Sequence, residues 1–195
     1  MLKNAESIAV LSDEQLISRL ASGKVEFLGE IYMRYDVMVK TALNRFAQDI
    51  SFEEREDLAQ DIFIAVNDSA SKFPAGVEFR LWLYGMTVKK ARARRRSNWV
   101  RNKLLKMRST MPVGTALRVD TSPARQSELR QLIEKALASL SDDERDVLML
   151  RAVEGFKGDE IAQILRISHN SVRVRIHRAR AKIDNEMTAL RKDLP

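Results

Sequence analysis

The chain has 195 residues, 45% of them apolar, and a formal charge of +7, which suits one or two small domains with real cores and a polyanionic partner. It contains no cysteine, which excludes disulfides and cysteine-held zinc, and its two histidines, His169 and His177, lie eight residues apart, too far for an i, i+4 metal pair. No apolar run approaches the roughly 18 residues of a membrane span, and the start MLKNAESIAVL lacks a basic then apolar leader, so a cytoplasmic chain without membrane insertion is expected. Few glycines and prolines, and no β-branched alternation, favour an all-α fold.

Ser12-Asp13 caps a first short helix through Leu20. A longer helix is expected over Val25 to Gln48, with Phe27, Leu28, Ile31, Tyr35, Val39 and Ala42 as core positions. The acidic stretch SFEEREDLAQDIFIAVNDSA follows, with Leu58, Ile62, Ala65 and Val66 as its apolar stripe. Asp57, Gln60, Asp61, Ile64 and Asp68 fall on the other side, a mixed acidic and apolar ridge suited to a basic helical partner. Phe73-Pro74-Ala75-Gly76 breaks the chain, and a further helix is expected from about Glu78 into the 90s.

From Lys89 to Arg108 there are ten Lys or Arg residues and no acid. Met111 to Pro123 reads as linker, and helical pattern resumes near Ala124. Ser141-Asp142-Asp143-Glu144 is a capping box opening a helix through Val153, with Gly155 as its closing glycine.

Asp159 to Lys182 then reads as a helix-turn-helix. A short amphipathic helix ends at Leu165, Arg166-Ile167-Ser168 makes the turn, and Ser168 caps a second helix from about His169 to beyond Lys182. Val172, Ile176, Ala179 and Ile183 occupy offsets 0, 4, 7 and 11, one helical face. Asn170, Val174, His177 and Arg178 point away from it, with Arg173 and Arg180 on one shoulder and Arg175 and Lys182 on the other. Polar readers between cationic shoulders suit a DNA major groove.

Two blocks carry a family resemblance. DLAQDIFIAV (57–66) with FRLWLYGMTVKKARARRR (79–96) looks like conserved region 2 of bacterial sigma factors, and residues 137–183 look like region 4. The chain resembles an extracytoplasmic-function sigma factor of the sigma-70 family, the minimal initiation subunit of RNA polymerase. The resemblance implies two small helical domains joined by a flexible linker. Residues 1–23 would be an N-terminal extension, 24–97 region 2, 98–127 the linker, 128–190 region 4 and 191–195 a tail.

It also implies roles. Asp57, Gln60 and Asp61, matching D-x-x-Q-D, with Ile64 on the same ridge, would grip the β′ clamp helices of core polymerase, which the chain would also meet through the β subunit. Lys89, Lys90, Arg92, Arg94, Arg95 and Arg96 would hold the single strand of the −10 element, with Trp82 either a strand contact or a core aromatic. Family members commonly carry Asn where this chain has Lys89, so −10 reading is expected to be unusual or to fall to the loop around residues 73–77. In region 4, Asn170, Ser171, Arg173, Val174, Arg175, His177, Arg178 and Arg180 would meet the −35 element. The helical wheel favours Arg173 and Arg178 as base readers and Arg175 and Arg180 as phosphate contacts. Promoter DNA and an anti-sigma factor are the further partners, and the free chain is expected to be a monomer.

No cofactor, metal or covalent chemistry is expected. The carboxylates of residues 53–61 form the one acidic cluster, and no convergent partner for catalysis is visible. The rival reading is a polymerase-independent regulator whose helix-turn-helix binds an operator by itself.

Overall fold

The computed structural model describes residues 8–108 and 136–192, with side chains described for 8–100 and 136–188. The linker reading at 111–123, the helix resuming at Ala124 and the 127/128 boundary lie outside the described residues. Described residues are helical, with turns and no strand, and the chain divides into two compact units, Met1–Met111 and Pro112–Pro195.

In the first unit, α1 is Asp13–Ala21. Ser12 Oγ accepts the Gln15 N–H at 3.3 Å and the Gln15 side chain accepts the Ser12 N–H at 2.9 Å, a reciprocal cap. The expected helix from Val25 to Gln48 is shorter. Gly23 turns the chain at φ +84, a tight turn covers Val25–Phe27, and α2 runs Leu28–Phe46. Arg19 sits 5.0 Å over the buried Phe27 ring, which fixes that turn. Ile31, Val39 and Ala42 are buried as expected, while Leu28 and Tyr35 are only half-buried. Tyr35 donates to Asp13, and Arg34 pairs with Asp13 at 3.0 Å and Glu30 at 2.8 Å, so α1 is clasped to α2.

The helix α3 is Phe52–Ser69, opened by a Ser51/Glu54 capping box. It packs against α2: Lys40 pairs with Glu56 at 2.9 Å, and the Tyr32 and Phe63 rings lie 4.8 Å apart. After a short turn at Ala70–Lys72 and Gly76 at φ +74, α4 begins at Phe79. It runs unbroken to Arg108, well beyond the 90s, into the stretch expected to be linker. Residues 86–108 contain no Gly or Pro and are rich in Ala, Arg, Lys, Leu and Met, so nothing local stops the helix.

In the second unit, α5 is Asp142–Ala152, α6 Gly158–Leu165 and α7 His169–Lys192. Gly155 at φ +75 closes α5. Ile161, Ile164, Val147, Leu150, Val172 and Ala179 form the core. Ile176 and Ile183, expected in that core, are only half-buried. Arg166 turns the chain between α6 and α7 at φ +53, ψ +49, a left-handed conformation that costs an L side chain roughly 1 kcal/mol.

Candidate nucleic-acid and protein interfaces

The ridge on α3 is built by burying its other side. Leu58, Ala59, Ile62, Phe63 and Val66 turn inward. Ala59 and Phe63 were not among the expected core positions, and Ala65, expected there, is half-buried. Asp57, Gln60, Asp61, Ile64 and Asp68 are exposed. Ile64 is 58% exposed, an apolar side chain held in water among acids. Arg55, on the same helix, donates to the Ile50 carbonyl at 2.7 Å and so fixes the entry into α3.

On α4 the aromatics and cations separate. Trp82 is 6% exposed, its ring 5.3 Å from Phe73 and 5.8 Å from Phe79. The structure therefore places Trp82 in the core rather than on a strand-binding surface, because its helix position faces those two rings. Tyr84 is also buried, edge-on to Phe46. Among the cations, Arg94 pairs with Glu54 at 3.7 Å and Arg95 with Asp49 at 3.3 Å, both towards the start of α3. Asn98, buried, reaches the same Glu54 carboxylate at 3.5 Å. Lys89 and Arg96 are exposed, Lys90 and Arg92 half-exposed.

On α7, Ser168 Oγ accepts the Ser171 N–H at 3.1 Å, the expected cap. Asn170, Arg173, Val174, His177, Arg178 and Arg180 are all exposed, and Ser171 half so. Asn170 Oδ1 accepts from Arg173 at 3.1 Å, which orders the first turn of this face. The two shoulders differ. Arg175 pairs with Asp143 at 2.9 Å and Lys182 with Glu144 at 2.7 Å, both at the start of α5. Arg175, expected to hold a phosphate, is thus already engaged by an acid of its own chain.

Glu144 is the hub of that contact. It is 7% exposed, accepts the Ser141 N–H at 2.9 Å and Lys182 at 2.7 Å, and thereby caps α5 and anchors α7. The Lys182 bond, then the Ser141 N–H, hold its carboxyl down at about 2, against the opposing effect of burial. Because the folded value lies below the ordinary 4.5, the stabilisation is complete above about pH 4.5 and is lost as pH falls towards 2. Glu144→Gln is expected to lower stability by about 1.5–3 kcal/mol at neutral pH. In urea titrations of the full chain followed by helical circular dichroism, that gap should narrow as pH drops from 4.5 to 2.

Comparison with known proteins agrees with this architecture. Residues 31–101 match the family Sigma-70 region 2, and residues 130–183 match Sigma-70, region 4. The ECF RNA polymerase sigma-E factor of Haemophilus influenzae is 29% identical over 92% of this chain and 97% of its own length. Among solved structures, CnrH in complex with the cytosolic domain of CnrY aligns with a TM-score of 0.59 and 27% identity, covering 91% of this chain and 97% of that one. The sigma factor RpoE of Bartonella quintana, in complex with the anti-sigma factor NepR, aligns with a TM-score of 0.56 at 21% identity over 82% of this chain and 98% of that one, which speaks to the fold alone. The two family matches fall one on each helical unit, in order and over most of the chain: it belongs to the sigma-70 family, as an extracytoplasmic-function sigma factor.

Proposed function

We propose that the two units divide promoter recognition between them, with the α3 ridge as the grip on polymerase. Asp57, Gln60, Asp61 and Ile64 meet the β′ clamp helices, a basic helical partner that complements exposed carboxylates around one apolar side chain. The cations of α4, Lys89, Lys90, Arg92 and Arg96, hold the displaced strand of the −10 element, with Arg94, paired to Glu54 on α3, and Arg95, paired to Asp49 just before it, orienting the helix. The exposed face of α7 reads the −35 element: Arg173 and Arg178 at base edges, Arg180 at phosphates, Asn170, Ser171, Val174 and His177 alongside. Arg175 serves this surface through its hold on Asp143, orienting the helix.

The observation that carries the reading is the pairing of an acidic ridge and two cationic helices in two units that match regions 2 and 4 in order. The chain performs no covalent chemistry and works in the cytoplasm, where polymerase and promoter are. No described helix is long and apolar enough to cross a membrane. An anti-sigma factor restrains it, a reading supported by CnrH, which was solved with the cytosolic domain of CnrY bound. In vitro transcription with core polymerase and genomic fragments is the test. Transcripts starting at defined sites only when the chain is added are expected. Sequence-specific binding by the chain alone, without such transcripts, would point instead to a polymerase-independent regulator.

A further inference from the structure

Met33 and Val37 on α2 are 77% and 75% exposed, more than Ile64 on the α3 ridge. They stand one turn apart, on a single face of the helix. A lone exposed aliphatic side chain is ordinary, but such a pair beside a third on the neighbouring helix is a patch. The packing of α2 on α3 fixes where the pair points. Tyr32 meets Phe63 and Lys40 meets Glu56, so the two helices run in opposite directions. Each step along a right-handed helix turns the side chain by about 100°. Met33 follows Tyr32 and Ile64 follows Phe63, and on antiparallel helices those two steps swing to the same side of the pair. One step the other way stand Ile31 and Ile62, both fully buried, so the core lies on the opposite side. The outer side is therefore one surface across two helices, apolar at Met33, Val37 and Ile64, with the ridge acids Asp57 and Asp61 along its α3 edge. Two nearby cations of α2 do not oppose a basic partner there. Arg34 is held by Asp13 and Glu30, and Lys40 by Asp36 and Glu56.

We infer that Met33 and Val37 belong to the polymerase grip. The basic helical partner of the ridge lies across both helices, its apolar side chains on Met33, Val37 and Ile64 and its cations on Asp57 and Asp61. The inference rests on the reading of the α3 ridge as the polymerase contact and adds a second helix to it. The acids orient the partner, and the apolar strip, buried at the middle of the contact, supplies much of the affinity. The unbranched thioether of Met33 lets that strip adapt to the shape laid on it. A second copy of this chain fits less well, because a self-complementary contact would set an acidic face against an acidic face.

The test measures core polymerase binding by the labelled full chain, using fluorescence anisotropy, with Met33→Gln and Val37→Gln combined. Glutamine suits a helix as well as methionine and better than valine, and both sites are exposed, so α2 should stay folded, which thermal unfolding checks. Affinity for core should fall about 10- to 100-fold. Because the lost contact is apolar, the salt dependence of binding should stay as in the native chain. A second readout does not depend on that variant. p-Benzoylphenylalanine placed at position 37 should cross-link to β′, as it should when placed at position 64. Native affinity in the double variant, or cross-links from the two positions to different subunits, would overturn the inference. So would sedimentation showing the free native chain as a dimer that the double variant turns into a monomer, which would put a second copy on this face. Asp61→Lys separates the two levels. If it binds core like the native chain, the ridge reading itself falls. If it binds weakly while the double variant binds normally, only the part assigned to α2 falls.

Discussion

Asp61→Lys is expected to lower affinity for core polymerase by about 30-fold or more, the equivalent of about 2 kcal/mol at a central interface position. The reversal swaps an attraction for a repulsion on the exposed ridge of α3, beside Ile64, without touching the core side of the helix. Asp61 is exposed, so the fold should tolerate the change. The measurement is holoenzyme assembly by fluorescence anisotropy with labelled chain, with thermal unfolding of the free chain as control. The loss should steepen at low salt, where the new repulsion is least screened. Equal affinity for native and variant chains would remove the ridge from the polymerase interface.

Arg178→Ala is the second large effect. It should cost holoenzyme about 1–3 kcal/mol at the −35 element and relax sequence preference there, as expected for a side chain that reads base edges. Arg180→Gln should behave differently. It should weaken all sequences alike and reduce the slope of log affinity against log salt by about 0.9, the signature of one lost phosphate contact. Lys182→Gln should leave that slope nearly unchanged, because Lys182 is held by Glu144. Scoring the three variants against promoter fragments mutated at each −35 position separates base reading, phosphate contact and helix anchoring. If Arg178→Ala weakens every fragment equally, Arg178 is a phosphate contact.

The helix-turn-helix was legible because every signal in it is local. Ser168 caps within three residues, Val172 and Ala179 repeat at helical spacing, and the charge lies on the remaining faces. The α3 ridge was legible for the same reason. What the sequence hid depends on tertiary register. Glu144 and Lys182 are 38 residues apart, and no spacing rule pairs them. Arg175 and Lys182 therefore looked like free shoulder cations, and Arg94 and Arg95 like two more members of an undivided basic run. Trp82 was ambiguous because an aromatic at the start of a cationic helix fits either a core or a strand contact, and the rings of Phe73 and Phe79 settle its place.

The end of α4 was misplaced for a different reason. A run of like charge reads as extended and solvated, yet the same residues are good helix formers with no breaker among them.

Glu54 and Glu144 have matching placements. Each is the third residue of a capped helix, and each also takes a cation from a basic helix, Arg94 of α4 and Lys182 of α7 respectively. One carboxylate thus ties the first turn of one helix to the flank of another. Fraying of α5 at its start releases Lys182, and release of Lys182 unsettles the start of α5. The two should open together as one cooperative segment, with amide protons in both exchanging at a common rate in spite of their distance in sequence. A protein whose reading helices are tied in this way gives up little rigidity locally, and DNA binding should slow exchange at the helix starts it never touches.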